Sequence, residues 1–188
     1  MANIAYTEYA VEGQTDSLLR LKQLMDDLAV PSTGSDEELS NSLDRLVTAA
    51  GGNPSEIECR GFWKPFTLRM ENGILLFEVE SKWVEPSQWR AFIEKTFNVR
   101  MFYYTEQLGE LILKTNDAKG CHFPYRYYFN GSSDSPYFET IDELCEDVGE
   151  LTGEEDLSTF EDCSKAVSNY LHDHRDEPII LSKITVTN

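Results

Sequence analysis

Residues 73–106 read GILLFEVESKWVEPSQWRAFIEKTFNVRMFYYTE and decide the fold. Apolar and charged side chains alternate over 74–83, which is typical of a strand with one buried face and places Trp83 on that face. Pro86 fits the first turn of a helix, because its missing N–H costs nothing there. Apolar residues then recur at helical spacing as far as Phe97. Alternation resumes after Asn98, so the stretch predicts strand, helix and strand.

The rest of the chain extends this pattern in both directions. The turn signal at 71–73 predicts a hairpin between residues 60–70 and the strand at 74–83. An N-terminal strand ends at Gly13. By the same reasoning, further strands are expected at 110–115, 124–130 and 178–187, and helices at 15–29, 36–50, 142–151 and 157–172.

This order of elements predicts an α+β fold. The order β-α-β-β-α-β is the ferredoxin-like plan, an antiparallel sheet with helices on one face. Residues 1–130 are expected to form this core, with the helix at 36–50 inserted and with extra strands. Residues 131–188 are expected to form a two-helix acidic C-terminal extension and a final strand. Both parts are predicted to pack together as a single structural unit.

The charge of the chain is strongly negative and uneven. The 188 residues carry a net charge of −18 from 34 acidic and 16 basic side chains. Residues 131–188 hold 15 acidic and 3 basic residues, and eleven acidic residues with no basic one lie between Glu139 and Asp162. Such a field repels nucleic acid and anionic membranes and favours a basic protein as the partner. The oligomeric state does not follow from the sequence.

Other features indicate an ordinary cytoplasmic protein. No apolar run approaches the length that a membrane helix needs, and the N-terminus lacks the basic and apolar regions of a signal peptide. The four cysteines, at 59, 121, 145 and 163, match no zinc or iron–sulfur spacing. They are expected to be small apolar residues in a reducing compartment. No cofactor, metal ligand or catalytic residue is predicted.

One segment of the chain resembles a known family. The pattern K-W-x-x-P-x-x-W at Lys82, Trp83, Pro86 and Trp89, together with MAN at the start and the aromatic segment over 99–106, resembles the plasmid YubB-type proteins. This resemblance covers roughly residues 1–130 and implies a ferredoxin-like domain carried on bacterial mobile elements. It implies no activity and no catalytic residues. The family's usual Trp-Cys pair is replaced here by Ile4 and Ala5.

Aromatic residues are the first candidates for a binding site. Phe102, Tyr104, Ile112 and Tyr128 are expected on the sheet face opposite the helices, where an aromatic surface is either covered or used for binding. A pocket between the sheet and the C-terminal helices, lined by Tyr104 and Tyr128, would suit a small-molecule binder or an enzyme. The run Tyr125–Phe129 with Arg126 is similar to a single-strand nucleic-acid platform, but stacking bases also needs basic residues for the phosphates. That interpretation is rejected unless the acidic residues lie on the far side.

The motif around Trp83, Pro86 and Trp89 allows two interpretations. The aromatic rings could clamp a ligand, but such residues more often close a strand–helix corner by packing. If Trp83 is a core residue, its truncation to alanine should cost about 3–5 kcal/mol. Packing is the favoured interpretation.

The acidic block is the candidate interaction face. Five carboxylates are expected on the outer side of the helix over 142–151: Asp142, Glu143, Glu146, Asp147 and Glu150. The leading hypothesis is a non-enzymatic protein-interaction module of a bacterial mobile element. A narrower hypothesis is an acidic DNA mimic that binds a basic host protein. The ordinary alternative is a helix face that charge keeps soluble.

Two further groups of residues point only weakly to chemistry. Acidic residues with one lysine lie on or near neighbouring strands, and they could act in acid–base catalysis or simply line a solvated sheet edge: Glu78, Glu80, Lys82, Glu106 and Glu110. Cys121-His122 and the pair His172 and His174 could bind a metal, but no third ligand follows from the spacing.

Overall fold

A computed structural model describes residues 3–29, 40–131, 135–174 and 178–187. The chain forms two compact units, residues 1–116 and 117–188. Five α-helices and a multi-strand sheet lie in the described residues, so the mixed helix-and-strand character is confirmed. The prediction that residues 1–130 and 131–188 form one structural unit stays a prediction. The first part of the predicted helix at 36–50 lies outside the described residues.

The first unit contains most of the predicted strands. Its elements are β1 Ile4–Gly13, α1 Thr15–Ala29, α2 Leu43–Ala49, β2 Gly61–Trp63, a 3₁₀ turn Pro65–Thr67, β3 Arg69–Glu71, β4 Ile74–Lys82, α3 Ser87–Phe97, β5 Val99–Gln107 and β6 Ile112–Thr115. The strands are ordered β6-β5-β1-β4-β2, and β3 also pairs with β4. All of these pairs are antiparallel, with Glu8 of β1 opposite Glu78 of β4 and Tyr104 of β5.

The helices of this unit cover one face of the sheet. Tyr9, Phe77 and Tyr103 point from the three central strands into the core, and Trp89 of α3 packs against the first two. The ring centroid of Trp89 lies 5.7 Å from that of Tyr9 and 6.4 Å from that of Phe77. Asn98 ends α3 in the left-handed conformation, at φ 54°, which asparagine tolerates. The strand–helix–strand prediction for 73–106 is therefore confirmed.

A buried charge cluster joins α3 to the sheet. Glu85 accepts hydrogen bonds from the Tyr9 hydroxyl and from Arg90 Nε, each at 2.9 Å. Burial raises the pKa of Glu85, although the neighbouring Arg90 guanidinium opposes this shift. Pro86 comes next and lies directly before α3, not within its first turn as predicted.

The structure corrects three details in this unit. Trp83 is not on the buried face: β4 ends at Lys82, the chain turns at Trp83 with φ 73°, and its side chain is 54% exposed. The predicted strand over 60–70 is split into β2 and β3 around Pro65, which cannot donate to a strand ladder. Leu113 lies opposite Glu106, so Leu113, and not Ile112, shares the face of Tyr104.

The second unit contains a small sheet and two helices. Its elements are β7 Tyr127–Phe129, β8 Tyr137–Phe138, α4 Ile141–Thr152, α5 Phe160–Asp173, β9 Leu181–Lys183 and β10 Thr185–Val186. The order β8-β7-β9 is antiparallel. Phe129, Leu144 and Val148 are fully buried and form a core with residues of α5. Strand β8 was not predicted, because its two residues are too short to show alternation.

Candidate interaction surface

Helix α4 begins with a reciprocal cap. The Thr140 hydroxyl accepts a hydrogen bond from the Glu143 backbone N–H at 3.3 Å. The Glu143 carboxylate in turn accepts from the backbone N–H groups of Glu139, at 3.0 Å, and Thr140, at 3.3 Å. This capping box satisfies donors that the first turn of a helix would otherwise leave free. Glu143 is thus engaged in holding the helix start.

Three of the five predicted carboxylates line one groove. Asp142, Glu146 and Glu150 lie four residues apart on α4 and form one wall of a groove of about 590 Å³. The opposite wall is the segment after the helix, which Gly153 turns at φ 73°. Gly149 permits this close return, because a Cβ there would meet the Glu154 carbonyl oxygen at 3.0 Å.

The segment after α4 contributes three more carboxylates, Glu154, Glu155 and Asp156. All six carboxylate side chains that line the groove are exposed. Residues 153–156 lie between the helices predicted at 142–151 and 157–172 and were not predicted to belong to the interaction face. The signal that could have identified them is the continuation of the acidic run beyond the end of the helix. Asp147, by contrast, does not line the groove.

Among the described residues, no ion pair balances the charge of this groove. Ion pairs in the described part of the second unit lie elsewhere, at Lys183–Glu161 and His172–Asp173. Like charges four residues apart on a helix destabilise it by about 0.2–0.5 kcal/mol per pair. The row on α4 therefore costs the fold a little stability, which a cationic partner would restore.

The second face of the first unit's sheet carries a different acidic cluster. Glu78, Glu80 and Glu106 of the predicted group lie there, together with Glu8 and Lys64, which were not predicted. Glu8, Lys64, Glu78 and Glu106 line a cleft of about 200 Å³. The alternation of exposed and buried residues along β1 could have identified Glu8, because it places Glu8 on the same face as Tyr6.

Lys64 compensates much of this second cluster. Its Nζ lies 3.2 Å from a carboxylate oxygen of Glu78 and 3.2 Å from one of Glu80. Burial alone would lower the pKa of Lys64, but the two hydrogen bonds to Glu78 and Glu80 raise it. Neighbouring strands bury part of the Glu8 carboxyl, and this burial, with the charges of Glu78 and Glu106, raises the pKa of Glu8. The α4 groove is therefore the stronger candidate for binding the basic groups of another molecule.

The predicted aromatic residues fall in two units. Phe102 and Tyr104 lie on β5 of the first unit, and Tyr128 lies on β7 of the second. All three side chains are buried. The Tyr128 ring packs edge-on against Tyr137, with 5.5 Å between the ring centroids.

The remaining candidates are Cys121-His122 and the pair His172 and His174. Contacts within the fold involve the backbone at His122 and the ring of His174. Asp117 accepts hydrogen bonds from the backbone N–H groups of His122, at 2.6 Å, and Phe123, at 3.0 Å. Although burial opposes the shift, these bonds lower the pKa of Asp117. The ring of His174 stacks on Tyr170 with 4.0 Å between centroids. Within the described ranges, no three His, Cys, Asp or Glu side chains are arranged to hold a metal ion.

Of the tryptophan motif, Pro86 and Trp89 are buried and Trp83 is exposed. Packing therefore accounts for Trp89 but not for Trp83.

Comparison of the chain with protein-family models, curated proteins and solved structures finds no match. Among the described helices, none combines the length and the apolar character that crossing a membrane requires.

Proposed function

We propose that this chain is a non-enzymatic protein-interaction module whose partner is a basic protein. The observation that carries the proposal is the α4 groove. Asp142, Glu146 and Glu150 face three further exposed carboxylates across it, and no ion pair of the described residues neutralises them. A basic partner would gain attraction without first displacing an internal lysine or arginine.

The size of this attraction can be bounded. An exposed ion pair contributes about 0.2–1 kcal/mol. Removing the three helix carboxylates should therefore weaken binding by about 0.6–3 kcal/mol, which is roughly threefold to more than a hundredfold. Such contacts also speed association, and their effect falls as salt screens the charges.

The test compares two variants that lose the same charge. One carries Asp142→Asn, Glu146→Gln and Glu150→Gln. The control carries Asp16→Asn, Asp27→Asn and Glu71→Gln, all exposed in the first unit. Glu143 is left intact in both, because it caps α4. The probe is a labelled arginine-rich peptide, and the measurement is fluorescence anisotropy at low and physiological salt.

The proposal expects the groove variant to bind more weakly than wild type by the factor given above, and the control variant to bind nearly as wild type does. Equal weakening in both variants would mean that the peptide responds only to net charge, and the groove would then have no special role.

DNA mimicry is the second candidate, and the regular row on α4 favours it. Side chains at intervals of four residues are about 6 Å apart along a helix, which gives evenly spaced negative charges. If the partner is a DNA-binding protein, duplex DNA should compete with the chain for it. Binding that excess duplex leaves unchanged would reject mimicry but retain the interaction function.

We also propose a ferredoxin-like fold for the first unit and membership of the YubB-type mobile-element proteins. The order β5-β1-β4-β2 supports the fold, since each β-α-β unit then has one antiparallel strand between its two parallel strands. A cytoplasmic location is proposed as well, and it would keep the four cysteines as thiols.

A further inference from the structure

Exposed apolar side chains gather at one end of the first unit's sheet. Ile4 begins β1, Phe62 lies on β2, and Trp83 and Val84 directly follow β4. Because Tyr6 pairs with Glu106, the turn after β5 reaches the same end. That turn carries the remaining members of the group, Leu108 and Leu111. We call these six residues the apolar end.

The apolar end exposes large side chains across four neighbouring strands. Each of its six side chains is between 41% and 54% exposed. Neighbouring strands lie about 4.8 Å apart, so four of them span about 14 Å. Exposed apolar side chains that gather at one end of a sheet are typical of an interaction site, whereas single exposed apolar residues need no explanation.

A concave region lies at this end of the sheet. A cleft of about 1030 Å³ is lined by Ile4, Phe62 and the loop over 54–60. Such a volume is large enough to receive side chains of a bound segment. Gly61 forms part of the lining, where a Cβ would clash with the Glu80 carbonyl oxygen.

The backbone holds Trp83 outward at this site. Its φ of 73° is a left-handed conformation that a bulky residue rarely adopts. Its N–H donates to the Asn3 carbonyl oxygen at 3.0 Å, which fixes the turn to the start of β1. Tryptophan is one of the commonest anchor residues at protein interfaces.

Charge complementarity identifies the kind of occupant. Four acidic side chains line the cleft, Asp44, Glu56, Glu58 and Glu80, against the two basic ones of Arg60 and Lys82. Glu80 is already paired with Lys64, so the other three carry the negative charge of the lining. A second copy of a chain with a net charge of −18 would meet like charge, and so would an anionic membrane. A segment with one apolar face and basic flanks would not be repelled in this way.

We propose that the apolar end is a docking surface for a basic amphipathic segment of another protein. This surface belongs to the first unit and the α4 groove to the second, so the proposed docking does not rest on that groove. The segment would place its apolar face over Phe62 and Trp83 and its basic residues beside the acidic lining of the cleft.

Tryptophan fluorescence tests this directly, because Trp63 and Trp89 are fully buried and Trp83 is exposed. Quenching by acrylamide therefore reports mainly on Trp83. The probe is a leucine–lysine peptide with its leucines on one helical face. Its control is a shuffled peptide of the same composition, which has the same charge but no apolar face. The full chain is used throughout.

The amphipathic peptide should reduce acrylamide quenching of Trp83 at least about threefold, and the shuffled peptide should not. Phe62→Ser should weaken the binding of the amphipathic peptide at least about tenfold, as truncation of an interface anchor does. Leu19→Ser should leave it unchanged, because Leu19 is 50% exposed on α1, outside the apolar end. Circular dichroism checks that both variants are folded.

Several results would overturn the inference. The first is equal protection of Trp83 from quenching by both peptides, and the second is equal weakening of peptide binding by Phe62→Ser and Leu19→Ser. The third is protection of Trp83 without peptide, together with self-association of the chain in sedimentation. The fourth is protection of Trp83 by lipid vesicles but not by the amphipathic peptide. The groove variant with Asp142, Glu146 and Glu150 changed to amides should keep the protection of Trp83. The two proposals can thus fail separately.

Discussion

Two tryptophans of one motif should respond to truncation in opposite ways. Trp89 is fully buried between Tyr9 and Phe77, so Trp89→Ala removes a large side chain from the centre of the core. An aromatic side chain buries about 150–250 Å², which corresponds to about 4–6 kcal/mol at 25 cal/mol per Å². Alanine retains a methyl group, and measured truncations of this kind cost about 3–5 kcal/mol. We expect a loss in that range.

Trp83→Ala should change stability by less than about 1 kcal/mol, because half of the side chain is already in water. Trp89→Phe provides a matched control. It keeps an aromatic ring and removes an indole N–H that has no hydrogen-bond partner among the described residues, so it should cost less than about 2 kcal/mol.

Urea unfolding followed by circular dichroism measures all three variants without relying on tryptophan emission. A large loss for Trp83→Ala, or a loss below about 1 kcal/mol for Trp89→Ala, would refute the packing described here.

Three further predictions concern single side chains. Asp117→Ala should destabilise the protein by about 1–3 kcal/mol in urea unfolding, since it leaves the buried N–H groups of His122 and Phe123 without their acceptor; an unchanged midpoint would contradict this. Glu8→Gln should be more stable than wild type at about pH 7, because the raised pKa of Glu8 means that wild type loses stability as pH rises through it. That advantage should shrink below about pH 4, where Glu8 is protonated in both states, and a difference independent of pH would argue against it. Cys121 should react with a thiol reagent well before the other cysteines, which are buried; Cys121→Ser should therefore abolish the fast phase, and a fast phase that persists would disprove the assignment.

Local periodicity predicted most of the first unit. The alternation along β4 and β5 and the helical spacing of Trp89 and Phe97 are properties of neighbouring residues, so the sequence displays them directly. Trp83 fitted the same alternation and was nevertheless misplaced. Its exposure follows from the left-handed turn at φ 73°, where β4 has ended at Lys82, and alternation does not reveal such a turn.

The candidate surfaces were only partly predictable for a related reason. Asp142, Glu146 and Glu150 follow from helical spacing alone. They lie close to the residues after Gly153 only because the chain reverses there. The spacing of residues along the helix does not predict the path of that reversal. Likewise, the apolar end gathers side chains from four strands, and strand order is decided by packing rather than by the pattern within any one strand.

The most direct test of the proposed function is a pull-down from a bacterial lysate with three baits. They are wild type, the groove variant with Asp142, Glu146 and Glu150 changed to amides, and the matched variant with the three amides in the first unit. The account predicts that wild type and the matched variant retain a basic protein that the groove variant loses. If the three baits retain the same proteins, or none, the acidic groove is not an interaction surface.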